Sequence, residues 1–172
     1  MKDKYQHILQ QHQAKIYKIC FGFCNDQTEV QDLYQEACIN IWQGLSAFKG
    51  TSSIGTWVYR VTVNTCLLHQ RKQQKLRLVY TEQLEQLPEH DITNQITLEE
   101  DVKLLYTCIR ALSDKDKSII MLYLEGLAYK EMEDILGMNQ NALAVRVNRI
   151  KKNIKQQFIN HGRIKKHLGK SQ

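Results

Sequence analysis

Between Met1 and Gln172 there is a single proline, Pro88, and on both sides of it apolar residues recur at the spacing of a helix face. Leu143, Val147, Ile150, Ile154 and Phe158 form the longest such stripe. Ile8, Ile16, Ile19 and Phe23 mark a first helix, and Leu33, Ala37, Ile41 and Leu45 a second. The run "SIIMLYL", Ser118–Leu124, has the composition of a buried strand. It lies, however, between a helix start at Ser113, with acids in the following turn, and a stop near Gly126. The predicted fold is all-α.

Around Pro88 the periodicities fade and the charge changes sign. Net charge is +4 over residues 1–75, −5 over 76–100 and +7 over 101–172. These features predict two small helical domains, 1–73 and 98–172, joined by a flexible acidic linker at 74–97. In the first domain Thr28 is placed to cap the second helix. "SAFKGTSSIGTW", Ser46–Trp57, reads as a loop, and a third helix runs from about Ile54 to Lys72. In the second domain a short helix, "YKEMEDILG", stops at Gly137 and a longer one follows, the outline of a helix-turn-helix, a winged-helix-like DNA-binding domain. Met132, Leu136, Met138, Leu143 and Val147 would form its core.

Five scattered cysteines read as reduced core thiols, which with a polar amino end and no apolar run of about 20 residues predicts a cytoplasmic protein without membrane insertion. Cys20, Cys24, His7 and His12 match no familiar zinc spacing, so no metal or other cofactor is expected. Neither a phosphate-cradling glycine loop nor a nucleophile motif is present, and no catalytic residue is assigned.

After Asp134 the chain holds nine Lys and Arg and no acid. A basic, amphipathic final helix has one face for a core and one for a polyanion. Asn139 would cap it and leave the N–H groups of Gln140 and Asn141 facing outward, toward a phosphate. Ala144, Val145, Asn148 and Arg149 stand where a helix in the major groove reaches base edges, since Asn can read adenine, Arg guanine and small apolar groups a thymine methyl. Arg146, Lys151 and Lys152 suit phosphates, which position without specifying.

The stretch "QDLYQEACINIWQGLSAFKGTSSIGTWVYRVTVNTCLLHQRKQ", Gln31–Gln73, resembles the promoter-melting region of bacterial extracytoplasmic-function (ECF) sigma factors. "LEGLAYKEMEDILGMNQNALAVRVNRIKK" is similar to the second DNA-binding region of that family, and the two segments occur in the family's order. The resemblance implies a factor that binds core RNA polymerase and promoter DNA, both duplex and melted single strand. It implies polymerase docking through Asp32, Leu33, Gln35, Glu36, Ile39 and Trp42. It implies capture of an extruded minus-ten base by Phe48, Lys49, Gly50, Thr51, Ser52 and Ser53, with Arg60, Asn64, Arg71 and Lys72 on the following helix. The final helix would then read the minus-thirty-five element, and the acidic linker would run through the polymerase. Family members are commonly held by an anti-sigma factor, a further partner class.

Two positions depart from the pattern. Glu133 stands where the family usually has a small residue, so its carboxylate must tilt to solvent or find a cation. Ala142 replaces a frequent Thr or Asn and removes a phosphate contact. A stand-alone helix-turn-helix regulator with a helical sensor domain is the alternative reading; it requires a dimer and no polymerase.

Overall fold

The computed structural model describes residues 2–80 and 100–168, with side chains to Leu78 in the first segment and Asn160 in the second. Pro88 and most of the acidic linker lie outside the described residues. Among the described residues there is no strand. Seven α-helices follow in order: α1 Lys2–Phe21, α2 Gln27–Gly44, α3 Ile54–Tyr80, α4 Glu100–Arg110, α5 Asp114–Leu124, α6 Tyr129–Leu136 and α7 Gln140–Leu168. A 3-10 turn, Leu45–Ala47, follows α2.

The first lobe packs α1, α2 and α3 around Ile16, Ile19, Phe23, Leu33 and Ile41, all closed to solvent. Burying each of these side chains stabilises by roughly 1.5–3 kcal/mol. Cys20, Cys24 and Cys66 lie inside this core as free thiols, and burial pushes the Cys24 and Cys66 thiols up, away from the reactive thiolate. The second lobe packs α4 to α7 around Ile109, Ile119, Leu122, Met132, Leu143 and Val147.

Two local expectations are corrected. Asp26, not Thr28, caps α2: its Oδ1 accepts from Glu29 N at 2.8 Å while Glu29 Oε2 accepts from Asn25 N at 2.9 Å. This reciprocal arrangement satisfies two helix-start donors two residues earlier than a Thr28 cap would. Helix α3 runs on past Lys72 to Tyr80. "QQKLRLVY" holds no Gly, Pro, Asp or Asn, and a change of charge does not break a helix.

The lobes are packed on one another. Lys15 Nζ donates to Glu125 O (2.9 Å), Lys18 Nζ lies 3.8 Å from Glu125 Oε1, and Gln74 donates to Asp114 Oδ2 (3.3 Å). The Arg110 guanidinium sits 4.9 Å over the Phe21 ring, which meets Tyr106 edge-on at 4.6 Å. Burial raises the Glu125 carboxyl, and Lys18 and Lys15 partly offset that. At the centre Gly22 of the first lobe abuts Met121 of the second, so that the two cores form one cluster.

Candidate nucleic-acid interface

The turn between α6 and α7 forms as its residues dictate. Gly137 takes the left-handed conformation (φ 66°), where a side chain would be strained, and its N–H closes α6 on Glu133 O. Asn139 Oδ1 accepts from Ala142 N at 2.8 Å, capping α7. Glu133 finds no cation: its Oε2 accepts an amide N–H from Gln140 at 2.8 Å across the turn, in a bond open to solvent. That bond satisfies the carboxylate without a cation and fixes the Gln140 side chain beside the helix start. Leu143, Val147 and Ile150 bury one face of α7. On the other face Val145 is 71% exposed, Asn141, Asn148, Arg149 and Lys152 are exposed, and Ala144 is half-buried.

Two basic residues of α7 are less free than the sequence suggests. Arg146 Nε donates to Asp116 Oδ1 at 2.6 Å, and Lys151 lies 5.4 Å over the Tyr123 ring. Asp116 was not predicted to take part. It precedes Arg146 by thirty residues, and no local pattern links them.

In the first lobe the loop between the 3-10 turn and α3 is braced from beneath. Phe48 packs on Trp57 (5.3 Å between ring centres), and Gly44 leaves room for that indole: a Cβ there would lie 3.0 Å from it. Gly50 turns the chain with φ 72°. Lys49, Gly50 and Thr51 are exposed, while Ser52 Oγ donates to the neighbouring Ser53 carbonyl at 3.3 Å. Ser53 is committed to the helix: its Oγ accepts from Thr56 N at 3.0 Å and bonds Thr56 Oγ1 at 2.8 Å. Asn64 stands exposed one face away from the core residues Val63 and Cys66. Arg60 is turned toward the second lobe, where its Nη2 donates to Asp134 O. Arg71 lines a cavity of about 340 Å³ between the lobes, with Leu67 on its own helix and Asp114, Leu136 and Met138 opposite. The four residues expected on α3 thus differ in their surroundings. Asn64, Arg71 and Lys72 are exposed, Arg71 at the edge of that cavity, whereas Arg60 is half-buried against the other lobe.

Residues 8–76 match the model of Sigma-70 region 2, and residues 103–154 that of Sigma-70, region 4. The chain belongs to the ECF sigma factors. The RNA polymerase sigma factor SigV of Bacillus subtilis is 25% identical over 139 residues, covering 80% of this chain and 81% of its own. The ECF RNA polymerase sigma factor SigW of the same organism is 24% identical over 170 residues, covering 91% and 90%. The sigma factor RpoE of Bartonella quintana, solved with the anti-sigma factor NepR, shares the fold with a TM-score of 0.73 at 18% identity, covering 92% of this chain and 98% of its own. CnrH, solved with the cytosolic domain of CnrY, does so with a TM-score of 0.64 at 14% identity, covering 93% and 90%.

Within region 2 of this sigma factor, α2 presents Asp32, Gln35 and Glu36 to solvent, with Ile39 54% and Trp42 38% exposed. Leu33 is wholly buried, so it supports this face from within and cannot itself touch a partner. The face is held to α3 by His69, whose Nε2 donates to Glu29 Oε1 at 3.2 Å. That hydrogen bond raises the imidazole above its ordinary 6.5 despite burial. Burial alone would raise Glu29, but the His69 bond, the Asn25 N–H and the His69 charge outweigh it and hold the carboxyl below 4.5. The stabilisation from His69 is therefore complete below the ordinary imidazole value and is lost as pH rises through the raised one. That from Glu29 is lost as pH falls through the lowered carboxyl value. Region 2 is expected to lose thermal stability on going from mildly acidic to alkaline buffer, and His69→Gln to remove most of that dependence in a melting series. An unchanged pH slope in the variant would place its cause elsewhere.

Proposed function

We propose that this sigma factor, once on core RNA polymerase, reads the two promoter elements with separate lobes and that the lobes part to do so. The exposed face of α2 docks the polymerase. The loop from Phe48 to Ser52 and Asn64 take the melted minus-ten strand: hydroxyl and backbone groups read the edge of an unstacked base, and Lys49 and Lys72 hold the backbone. Helix α7 enters the major groove of the minus-thirty-five duplex, with a phosphate at its Asn139-capped start and Val145, Asn148 and Arg149 toward the bases.

The observation that carries this reading is the exposed row on α7, an acid-free helix face backed by a closed core. The chemistry of RNA synthesis belongs to the polymerase, and the factor's place is where that enzyme works, in the cytoplasm. An anti-sigma factor is a natural partner, as both solved relatives are held by proteins bound to them.

Parting of the lobes follows from where the arginines are. While α6 stays on α3, Arg60 is engaged by the Asp134 carbonyl and Arg71 faces Leu136 and Met138 across a cavity, so both give up these neighbours when the lobes part. The test is run-off transcription from fragmented genomic DNA with core polymerase, with and without this protein. New discrete starts that require both components are expected, and their alignment gives the two elements. Silence with core polymerase, alongside specific duplex binding by a dimer of the free protein, would favour the stand-alone regulator.

A further inference from the structure

Asp116 lies in the first turn of α5, where its N–H donates to the capping Ser113 Oγ at 3.2 Å. Its carboxylate is 15% exposed and points away from its own helix, toward α7. The neighbouring cation on α5, Lys117, is paired with Asp114 at 3.4 Å and leaves Asp116 to the recognition helix. Oδ1 accepts from Arg146 Nε at 2.6 Å, and Oδ2 lies 3.7 Å from Arg149 Nη2. One carboxylate thus underlies two arginines that are three residues apart on α7.

A negative charge beside a DNA-binding face weakens attraction for phosphate, so general affinity gives no reason for it. Geometry does. A guanidinium is a rigid fork on a long, freely rotating stem, and a carboxylate at one edge of the fork fixes where the other edge points. Arg146, bound through Nε and 26% exposed, becomes a strut between α5 and α7. Arg149, 66% exposed and only loosely paired, keeps one edge for the paired acceptors of a guanine.

We propose that Asp116 is a specificity-determining positioning residue: it aims Arg149 at one guanine of the minus-thirty-five element and touches no DNA itself. The proposal rests on the reading of α7 as the minus-thirty-five helix. Removing the carboxylate leaves Arg149 charged but unaimed. Attraction to DNA then holds or grows, while discrimination at one base pair falls.

The experiment uses holoenzyme on a promoter mapped by run-off, with each minus-thirty-five base pair replaced in turn. Wild-type protein should lose about tenfold in initiation when Arg149's guanine is replaced, within the range of a bidentate base contact. Arg149→Ala should erase that preference. Asp116→Asn, which keeps size and one acceptor for Arg146, should reduce it to about twofold at the same position only, with other positions unchanged. Asp116→Glu, which keeps the charge, should retain most of it. If Asp116→Asn preserves the tenfold preference that Arg149→Ala abolishes, the proposal is overturned. An even loss at every position would also overturn it, because that is what a purely structural role predicts. If Arg149→Ala leaves every position unaltered, the reading of α7 fails first, and the separate arm makes that visible.

Discussion

Ile39→Asp will leave the fold of this sigma factor intact and all but abolish transcription that depends on it. The side chain is 54% exposed on α2, so replacing it should change stability by no more than about 0.5 kcal/mol. In the proposed docking face it is the apolar centre among Asp32, Gln35 and Glu36. A buried apolar anchor of this kind carries about 2 kcal/mol of binding or more, roughly a 30-fold loss in affinity for core polymerase. The neighbours make poorer tests. Trp42 is partly exposed but lies edge-on to Tyr5 at 4.9 Å, and the Tyr5 hydroxyl donates to Cys38 O at 3.0 Å, so its removal disturbs α1 against α2. Leu33 is wholly buried, and Leu33→Ala should cost about 2–5 kcal/mol of stability. Competition for core polymerase against the wild-type chain, read beside thermal melts, separates the three cases. An Ile39→Asp protein that competes as well as wild type would remove α2 as the docking surface.

The helices were legible in the sequence because each has its own local signals. Ser113 and Asn139 cap where their neighbours predicted, and Gly137 ends α6 with the positive φ that only its position demanded. The α2 cap was misplaced by two residues because Asp26 and Thr28 are both good caps. Only the reciprocal reach of Glu29 to Asn25 decides between them. Exposure along α7 followed from period alone, since Leu143, Val147 and Ile150 fix which side is core. What could not be read was which side chains meet, whether across the fold or across a turn. Nothing near Asp116 announces Arg146, and nothing near Glu133 announces the amide of Gln140. Arg60, Asn64, Arg71 and Lys72 do share one helix, α3. Yet whether Arg60 faces DNA or the carbonyl of Asp134 depends on a lobe seventy-four residues away.

That dependence sets the second large expectation. Gly22 lies at the end of α1, where a Cβ would come within 2.4 Å of Met121 Sδ and 2.7 Å of Met121 Cγ. Met121 belongs to α5 and is wholly buried, so it has no solvent to retreat into. Gly22→Val forces extra carbons into this contact, at a cost of about 1–3 kcal/mol for an overpacked core. Neither lobe need unfold to relieve it, because the crowded atoms belong to different lobes and separation removes the clash. The variant should therefore expand in solution, as read by small-angle scattering, with its helix content unchanged. Freed from Asp134, Arg60 becomes available, and Arg71 loses the wall formed by Leu136 and Met138. Affinity of the free protein for a single strand carrying the mapped minus-ten sequence should then rise about tenfold, because a ligand of the open state no longer works against closure. Met121→Ala in the same chain restores the missing space and should return both size and affinity toward wild type. If Gly22→Val expands the protein and the strand still binds no better, closure does not withhold the minus-ten residues. If Met121→Ala fails to reverse the expansion, the valine acts within its own lobe.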